Sequence, residues 1–385
     1  ARYVGVEVYK VFNNRIPMSW EELRCLARDF TKEYGGEYDY GYMSEWWFYY
    51  GWSVGGDCVG WDEESNRYKF TIGDKNANYL AIDDVTVNGT DYKKGEVLEY
   101  EDSMWLNKNG TSSVEGKVHE MPSQYEAFLE FNKLGVPSSK EVEEGVLGYG
   151  VAPSTTANRN RWFTSGLSPM LCDGYQMGNN FKGSAVGGKF NIAPVVQYRE
   201  YEGGATYQRN DEAGFANECL KIIGETYDEG VYTGELNFTE NGTPIVGEAK
   251  TSSLTYAYCI PRNSDKDEYE AAMKFIAWIA GPEGQAIYCE SENRVPNQTS
   301  YGLSEAYYES DARIVDNAWA AAFASQNSWI GDWSYFNTGT WINDWSDELN
   351  SDVRAGTITL SEFLDNFQDI ADNQLGAMRI RTEGI

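Results

Sequence analysis

Histidine is nearly missing from this chain. One residue, His119, stands in 385. That rules out a His-rich metal site and argues against a Ser-His-Asp triad, whose base is an imidazole. His119 lies in the polar stretch Gly-Lys-Val-His-Glu-Met-Pro-Ser and reads as a surface residue. Positive charge is scarce as well: 31 Lys and Arg stand against 60 Asp and Glu, a net charge of −29. Such a chain does not suit nucleic acid or an anionic membrane surface, which reward a basic face, and it favours neutral ligands. The six cysteines, Cys25, Cys58, Cys172, Cys219, Cys259 and Cys289, form no C-x-x-C pair, which argues against a zinc ribbon or a thioredoxin-like redox motif. A chain this long does not need disulfide staples, and mostly buried free thiols are expected. No apolar run approaches the roughly 18 residues of a membrane span, and no signal peptide is seen. The chain opens directly on ARYVGVEVYKVF, a strand running into a helix, which reads as a cut more than a beginning. Neither an internal repeat of about 20 to 50 residues nor a low-complexity tract is found.

Aromatic residues are abundant. They make up 15% of the chain, with 13 Trp and 28 Tyr. Six of them, Trp46, Trp47, Phe48, Tyr49, Tyr50 and Trp52, crowd into the stretch Ser44 to Asp57. On a helix successive residues step about 100° apart, so one face cannot bury them all. Some rings face a core; others line a cleft, meet a partner or sit in water. Gly55-Gly56 then ends the helix. A flat ring with a polar edge matches a sugar, whose C–H face stacks while its hydroxyls bond the edge. An ordinary core helix is the alternative.

Elsewhere the chain mixes strands and helices, which indicates α/β or α+β. Ser19 and Glu22 form a candidate capping box ahead of Leu23, Leu26, Ala27 and Phe30. Residues 61–117 form a β-rich excursion, with strands at 68–72 and 85–87, a hairpin signal at Asn88-Gly89 and a returning strand at 96–100. Residues 122–134 are an amphipathic helix with Tyr125, Phe128, Leu129 and Asn132 in register. Short strands are expected at 147–152, 170–172, 190–194 and 256–261. Helices are expected at 212–226, 267–280, 282–291, 313–325, 341–354 and 360–375, the last capped by Thr359 or Ser361.

Four segments, in order, resemble the extracellular solute-binding proteins of bacterial carbohydrate ABC transporters, the maltose-binding-protein superfamily. They are Pro17-Met18-Ser19-Trp20-Glu21-Glu22-Leu23; the aromatic run Trp46 to Asp57; Phe163, Gly166, Met170, Asp173, Gly174 and Tyr175; and Ile260-Pro261-Arg262-Asn263-Ser264 followed by Ala272-Met273-Lys274-Phe275-Ile276, Gly281-Pro282-Glu283-Gly284-Gln285 and Arg294-Val295-Pro296. At Gln176 this chain departs from the family, which usually has a sugar-stacking Trp there.

The resemblance implies an α/β, two-lobed, class II periplasmic-binding-protein-like fold, here lacking most of the first lobe. It implies a hinge strand at 1–7, a second lobe from 8–250 and 313–385 carrying the 61–117 excursion, and a returning segment of the first lobe at 251–312. If that lobe is absent, residues 256–279 are expected to expose apolar surface. The implied function is extracellular binding of a neutral oligosaccharide by lobe closure and delivery to an ABC permease, with no catalysis, cofactor or metal. The expected location is the cell surface of a Gram-positive bacterium, through a lipid anchor outside this sequence, or the periplasm. Candidate ligand contacts are Trp46 and Trp47 as platforms, Glu45 as a hydroxyl acceptor, Asp173 and Tyr175 after a strand, Tyr256, and Trp333 and Trp341 as a second platform. A secreted glycoside hydrolase, which needs two carboxylates flanking one bond, and a surface adhesin are the competing classes.

Overall fold

The structure is a computed structural model. It describes residues 17–44, 47–62, 65–146, 148–153, 159–174, 177–190, 192–200, 227–228, 231–232, 245–252, 258–262, 265–292, 294–302, 304, 307, 328–329, 341–353 and 355–382.

Helices and strands are mixed along the chain, each in runs of several, a content consistent with an α/β fold. Among the described residues the strands pair only in twos. In the 61–117 region and its flanks these are β1 (Val59–Asp62) with β2 (Arg67–Phe70), β3 (Asn78–Ala81) with β6 (Val118–Met121), and β4 (Val85–Val87) with β5 (Thr90–Tyr92), all antiparallel. The expected hairpin is present: Val87 pairs with Thr90, and Asn88 and Gly89 between them have φ of 48° and 95°. Both central residues therefore have positive φ, the type I′ condition that Asn-Gly satisfies. Residues 96–98 do return, through Ala81 N to Glu96 O (2.9 Å) and Leu98 N to Tyr79 O (2.9 Å), but the chain turns into the helix Tyr100–Asn109 before a strand can form. This excursion has its own small core of Tyr79, Ala81, Val85, Val87, Tyr92, Leu98, Leu106 and Val114. His119 sits on β6 opposite Leu80, half-buried and not in an exposed loop.

The main core centres on Trp345, which is fully buried. Its ring lies 5.3 Å from Trp47, 5.3 Å from Phe128, 5.7 Å from Phe70, 4.7 Å from Phe363 and 5.0 Å from Phe367. Four distant pieces of chain thus meet on one indole. The C-terminal helix Leu360–Thr382 is fixed at its start by Thr359, whose backbone N–H and hydroxyl exchange bonds with the Glu362 carboxylate and backbone. Thr359, not Ser361, is the cap. The same helix grips β2: Phe70 N donates to Asp372 Oδ1 (2.8 Å), and Gln368 Nε2 donates to Phe70 O (2.9 Å).

The helix Gln124–Asn132 buries Gln124, Ala127, Phe128 and Phe131, so its inner stripe is rotated from the expected Tyr125, Phe128, Leu129 and Asn132. Gly51 and Gly56 lie against this helix's first residue: a Cβ at either would fall on the Gln124 side-chain amide. Gly55 is constrained twice, by φ of +88° and by a space in which a Cβ would stand 2.5 Å from Val97 Cγ1 and 2.8 Å from Leu98 O. Gly55→Ala is expected to destabilise the protein by about 1–3 kcal/mol, read as an earlier urea midpoint. An unchanged midpoint would contradict this account of the turn.

The helices Lys266–Ile279 and Pro282–Glu292 appear close to where the sequence places them, the first opened by an Asp265–Glu268 capping box. The apolar side of the first is exposed, at Tyr269, Met273, Phe275 and Trp278, and Tyr258 stands edge-on to Phe275 at 6.0 Å. Residues 190, 192–194 and 258–261 form no strand, and 148–152 contribute buried Val151 and Ala152 without strand pairing. The helices expected at 212–226 and 313–325 lie outside the described residues. Cys25, Cys58 and Cys289 are buried as expected, whereas Cys172 is half-buried and Cys259 exposed. Cys219 lies outside the described residues.

Candidate functional site

The aromatic run folds into a helix of five residues, Phe48–Trp52. Short as it is, it is enclosed from several sides. Tyr50 stacks on Trp20 (5.1 Å) and meets Phe131 (5.6 Å); Phe48 stacks on Trp52 (5.4 Å); Trp47 lies against Phe48, Phe128 and Trp345. Asp57, itself buried, holds the exit by accepting from Trp52 Nε1 (3.2 Å) and Cys58 N (2.6 Å).

This corrects the expectation for Trp47. The ring is 4% exposed and belongs to the core, so it offers no platform. The argument that one face cannot bury the whole run holds for a helix with a wet side. A five-residue helix packed on several sides has little wet side to fill. Tyr49 is the exception. It is half-buried, edge-on to Trp52 at 5.6 Å, while Phe48, Tyr50 and Trp52 on either side of it are buried.

The second part of the site comes from a distant segment. Met43 and Leu171 form an isolated parallel bridge, through Met43 N to Met170 O (3.1 Å) and Cys172 N to Met43 O (2.9 Å). Because the two segments run in the same direction, Ser44 and the sequence Cys172-Asp173-Gly174 leave the bridge at the same end, the carboxyl end of the paired segments. Glu45 and Trp46 follow Ser44 in sequence, and Tyr175 follows Gly174; all three lie outside the described residues. So do Tyr256 and Trp333. Trp341 opens the helix Trp341–Glu348, but its side chain is outside the described ones.

At this end Asp173 is half-buried, and its Oδ1 accepts from Gly174 N at 2.7 Å. Burial raises the Tyr49 phenol well above its ordinary pKa, and the negative charges of Cys172 and Asp173 add to that. Tyr42, on the bridged segment, is raised in the same way, first by burial and then by Cys172, with a hydrogen bond to Ser44 acting against the shift. At the other end of the bridge Tyr40 stacks on Trp162 (5.6 Å), both half-buried, with Trp162 carried by the helix Arg159–Thr164. That helix is anchored by Phe163, which packs on Phe181 (5.0 Å) and Phe190 (6.4 Å).

Phenols, a carboxylate and half-exposed rings can hydrogen-bond hydroxyls and stack on a flat ligand. The sequence reading did not single out Tyr49, and residue type could not have done so, since the neighbouring Tyr50 has the same polar tip and is buried. No group of three or more His, Cys, Asp or Glu side chains that could hold a metal occurs among the described residues. Among them also no helix is long and apolar enough to cross a membrane.

Residues 243–315 match the family model described as bacterial extracellular solute-binding protein. The match supports that family. It spans the Ile260–Pro296 motifs and the two helices after Asp265. The solute-binding family implies a small-molecule ligand and an ABC permease as partner, and an extracellular or periplasmic setting. No curated protein and no solved structure matches the chain significantly.

Proposed function

We propose that this solute-binding chain captures a neutral oligosaccharide outside the cell and presents it to the permease of an ABC importer. The family match over 243–315 carries the binding-and-transport part. The sugar part is supported by the acidic chain and by the abundance of aromatic residues. In this reading residues 251–312 belong to one lobe, residues 8–250 and 313–385 to the other, and residues 1–7 to the hinge, as in a class II two-lobed clamp. Closure buries hydroxyls against polar side chains, so each unmatched group costs free energy and the ligand is selected by its pattern of hydroxyls. Asp173 is one contact; Glu45, Trp46, Tyr175, Tyr256, Trp333 and Trp341 remain candidates for the others. Solute-binding families are generally non-enzymatic, and the chain binds its sugar without cleaving it. The protein is held at the cell surface by a lipid anchor or lies free in the periplasm.

Intrinsic tryptophan fluorescence, titrated with neutral oligosaccharides while products are followed by chromatography, tests this. The expected result is a saturable shift with the sugar recovered intact. Shorter sugars among the products would make the protein a glycoside hydrolase. No response to any sugar would remove the carbohydrate reading and leave the solute-binding family standing.

A further inference from the structure

We infer that Asn88 is a site of spontaneous modification: its side-chain amide closes onto the backbone nitrogen of Gly89, is lost as ammonia, and leaves a carboxylate that unlatches the hairpin from the helix Tyr100–Asn109. The inference does not depend on the ligand proposed above.

The chain contains three Asn-Gly pairs, Asn88-Gly89, Asn109-Gly110 and Asn241-Gly242, and the last lies outside the described residues. Glycine after asparagine leaves the attacking nitrogen unshielded, because it has no Cβ. Backbone geometry separates the first two pairs. The five-membered imide closes when the Asn Cβ eclipses the next nitrogen, which for an L residue sets ψ to about −120°, the value at the first central position of a type II′ turn. That position also has positive φ, and Asn88 already stands at φ of 48°. A flip of the single peptide between Asn88 and Gly89 therefore converts the present type I′ turn into type II′. Both are two-residue hairpin turns, so the Val87–Thr90 pair is kept. Gly89, at φ of 95°, can cross to negative φ, and nothing lies within 4 Å of where a Cβ would stand. Asn88 is exposed, so water reaches it. Asn109 lacks these features. It ends a helix without positive φ, its Nδ2 donates to Trp105 O (2.9 Å), and the Gly110 N–H already donates to Leu106 O (2.8 Å).

The chemistry balances with water as the one co-reactant. Gly89 N bonds to Asn88 Cγ and gives up its proton; the Cγ–Nδ2 bond breaks, and ammonia carries that proton away. Water then opens the imide at either carbonyl, giving aspartate or isoaspartate at position 88. The consequence is set by what the lost nitrogen was holding. Asn88 Nδ2 donates to Asp102 Oδ1 at 3.3 Å, and the Tyr92 hydroxyl donates to Oδ2 at 2.6 Å. Asp102 is 4% exposed. Modification removes one of these two donors and sets a like charge beside a carboxylate that water barely reaches. Isoaspartate also lengthens a loop whose length fixes the strand register. Either product loosens the hairpin from the small core to which its Val85, Val87 and Tyr92 belong.

To test the site, the full chain is held at mildly alkaline pH and physiological temperature, sampled over days and peptide-mapped by mass spectrometry. Position 88 is expected to convert several-fold faster than position 109, with aspartate and isoaspartate resolved as two products. Conversion at 88 no faster than at 109, or none at either, would overturn the turn-flip argument. The latch is tested with variants. Asn88→Asp is expected to speed amide hydrogen exchange over residues 85–92 by roughly tenfold. Asp102→Asn in that background exchanges donor and acceptor across the same contact and is expected to restore most of the protection. Exchange unchanged by Asn88→Asp, or not slowed again by the second substitution, would mean that the Asn88–Asp102 contact holds nothing in place.

Discussion

Trp345→Ala is expected to cost about 3–5 kcal/mol of stability, the range for removing a buried large aromatic, which for a chain of this size is a fall of roughly 5 °C in the thermal midpoint. The indole is fully buried and touches rings from the aromatic segment, β2, the helix Gln124–Asn132 and the C-terminal helix. Truncation leaves a cavity at the one place where these pieces meet, and the rings around it are too rigid to close the gap. Trp278→Ala is the matched control. That ring is 42% exposed, and its loss is expected to change stability by no more than about 0.5 kcal/mol. Equal losses from the two variants in a urea melt followed by near-UV circular dichroism would contradict the placement of Trp345 at the centre of the core.

Raising the pH above 10 is expected to unfold the protein over a narrow range. Tyr42, Tyr49, Tyr79, Tyr92, Tyr100, Tyr125 and Tyr149 all have pKa values raised above 10.0. Burial is the first cause in each. For Tyr100 the Asp74 charge comes next, and for Tyr92 the hydrogen bond to Asp102. Burial also pushes the Cys289 thiol up to about 11. The sign is fixed by proton counting. Each group holds its proton in the folded chain at a pH where the unfolded chain has released it. The stabilisation is therefore complete below pH 10 and is lost as pH rises towards the folded values. Each such buried tyrosine contributes a slope of up to about 1.4 kcal/mol per pH unit. Tyrosinate absorbance should lag behind that of the denatured chain and then rise together with the loss of circular dichroism. Smooth ionisation of all 28 tyrosines near pH 10 in a chain that stays folded would overturn this.

Local signals carried much of the secondary structure. Asn88-Gly89 made its hairpin because no other common pair adopts two positive φ values so readily. Asp265, Lys266 and the apolar spacing that follows made the helix to Ile279, and Pro282 opened the next. Thr359 capped the last helix through Glu362. The strand expected at 96–100 was cut short because Glu99 and Tyr100 start a helix, a local preference that outweighed the alternation ahead of it. The buried stripe of Gln124–Asn132 was not read correctly from its own periodicity, since which side of the helix is covered depends on what packs against it, including Gly51 and Gly56 against Gln124.

The candidate site divides in the same way. That the aromatic run is an unusual feature and that Asp173 stands at the end of a short extended piece were legible from residue type and spacing, and the acidic charge balance is what favours a neutral ligand in the proposed function. Which ring of the run is sealed was a tertiary decision. Trp47 and Tyr49 are two positions apart, and only the packing of Trp345 and Phe128 on Trp47 shows that it is buried while Tyr49 keeps some exposure. The meeting of the aromatic segment with Asp173 was equally beyond local reading, because it rests on one parallel bridge between Met43 and Leu171. Side-chain chemistry is a property of each residue and survives in the sequence; burial and proximity belong to pairs brought together across the chain, and only the folded structure supplies them.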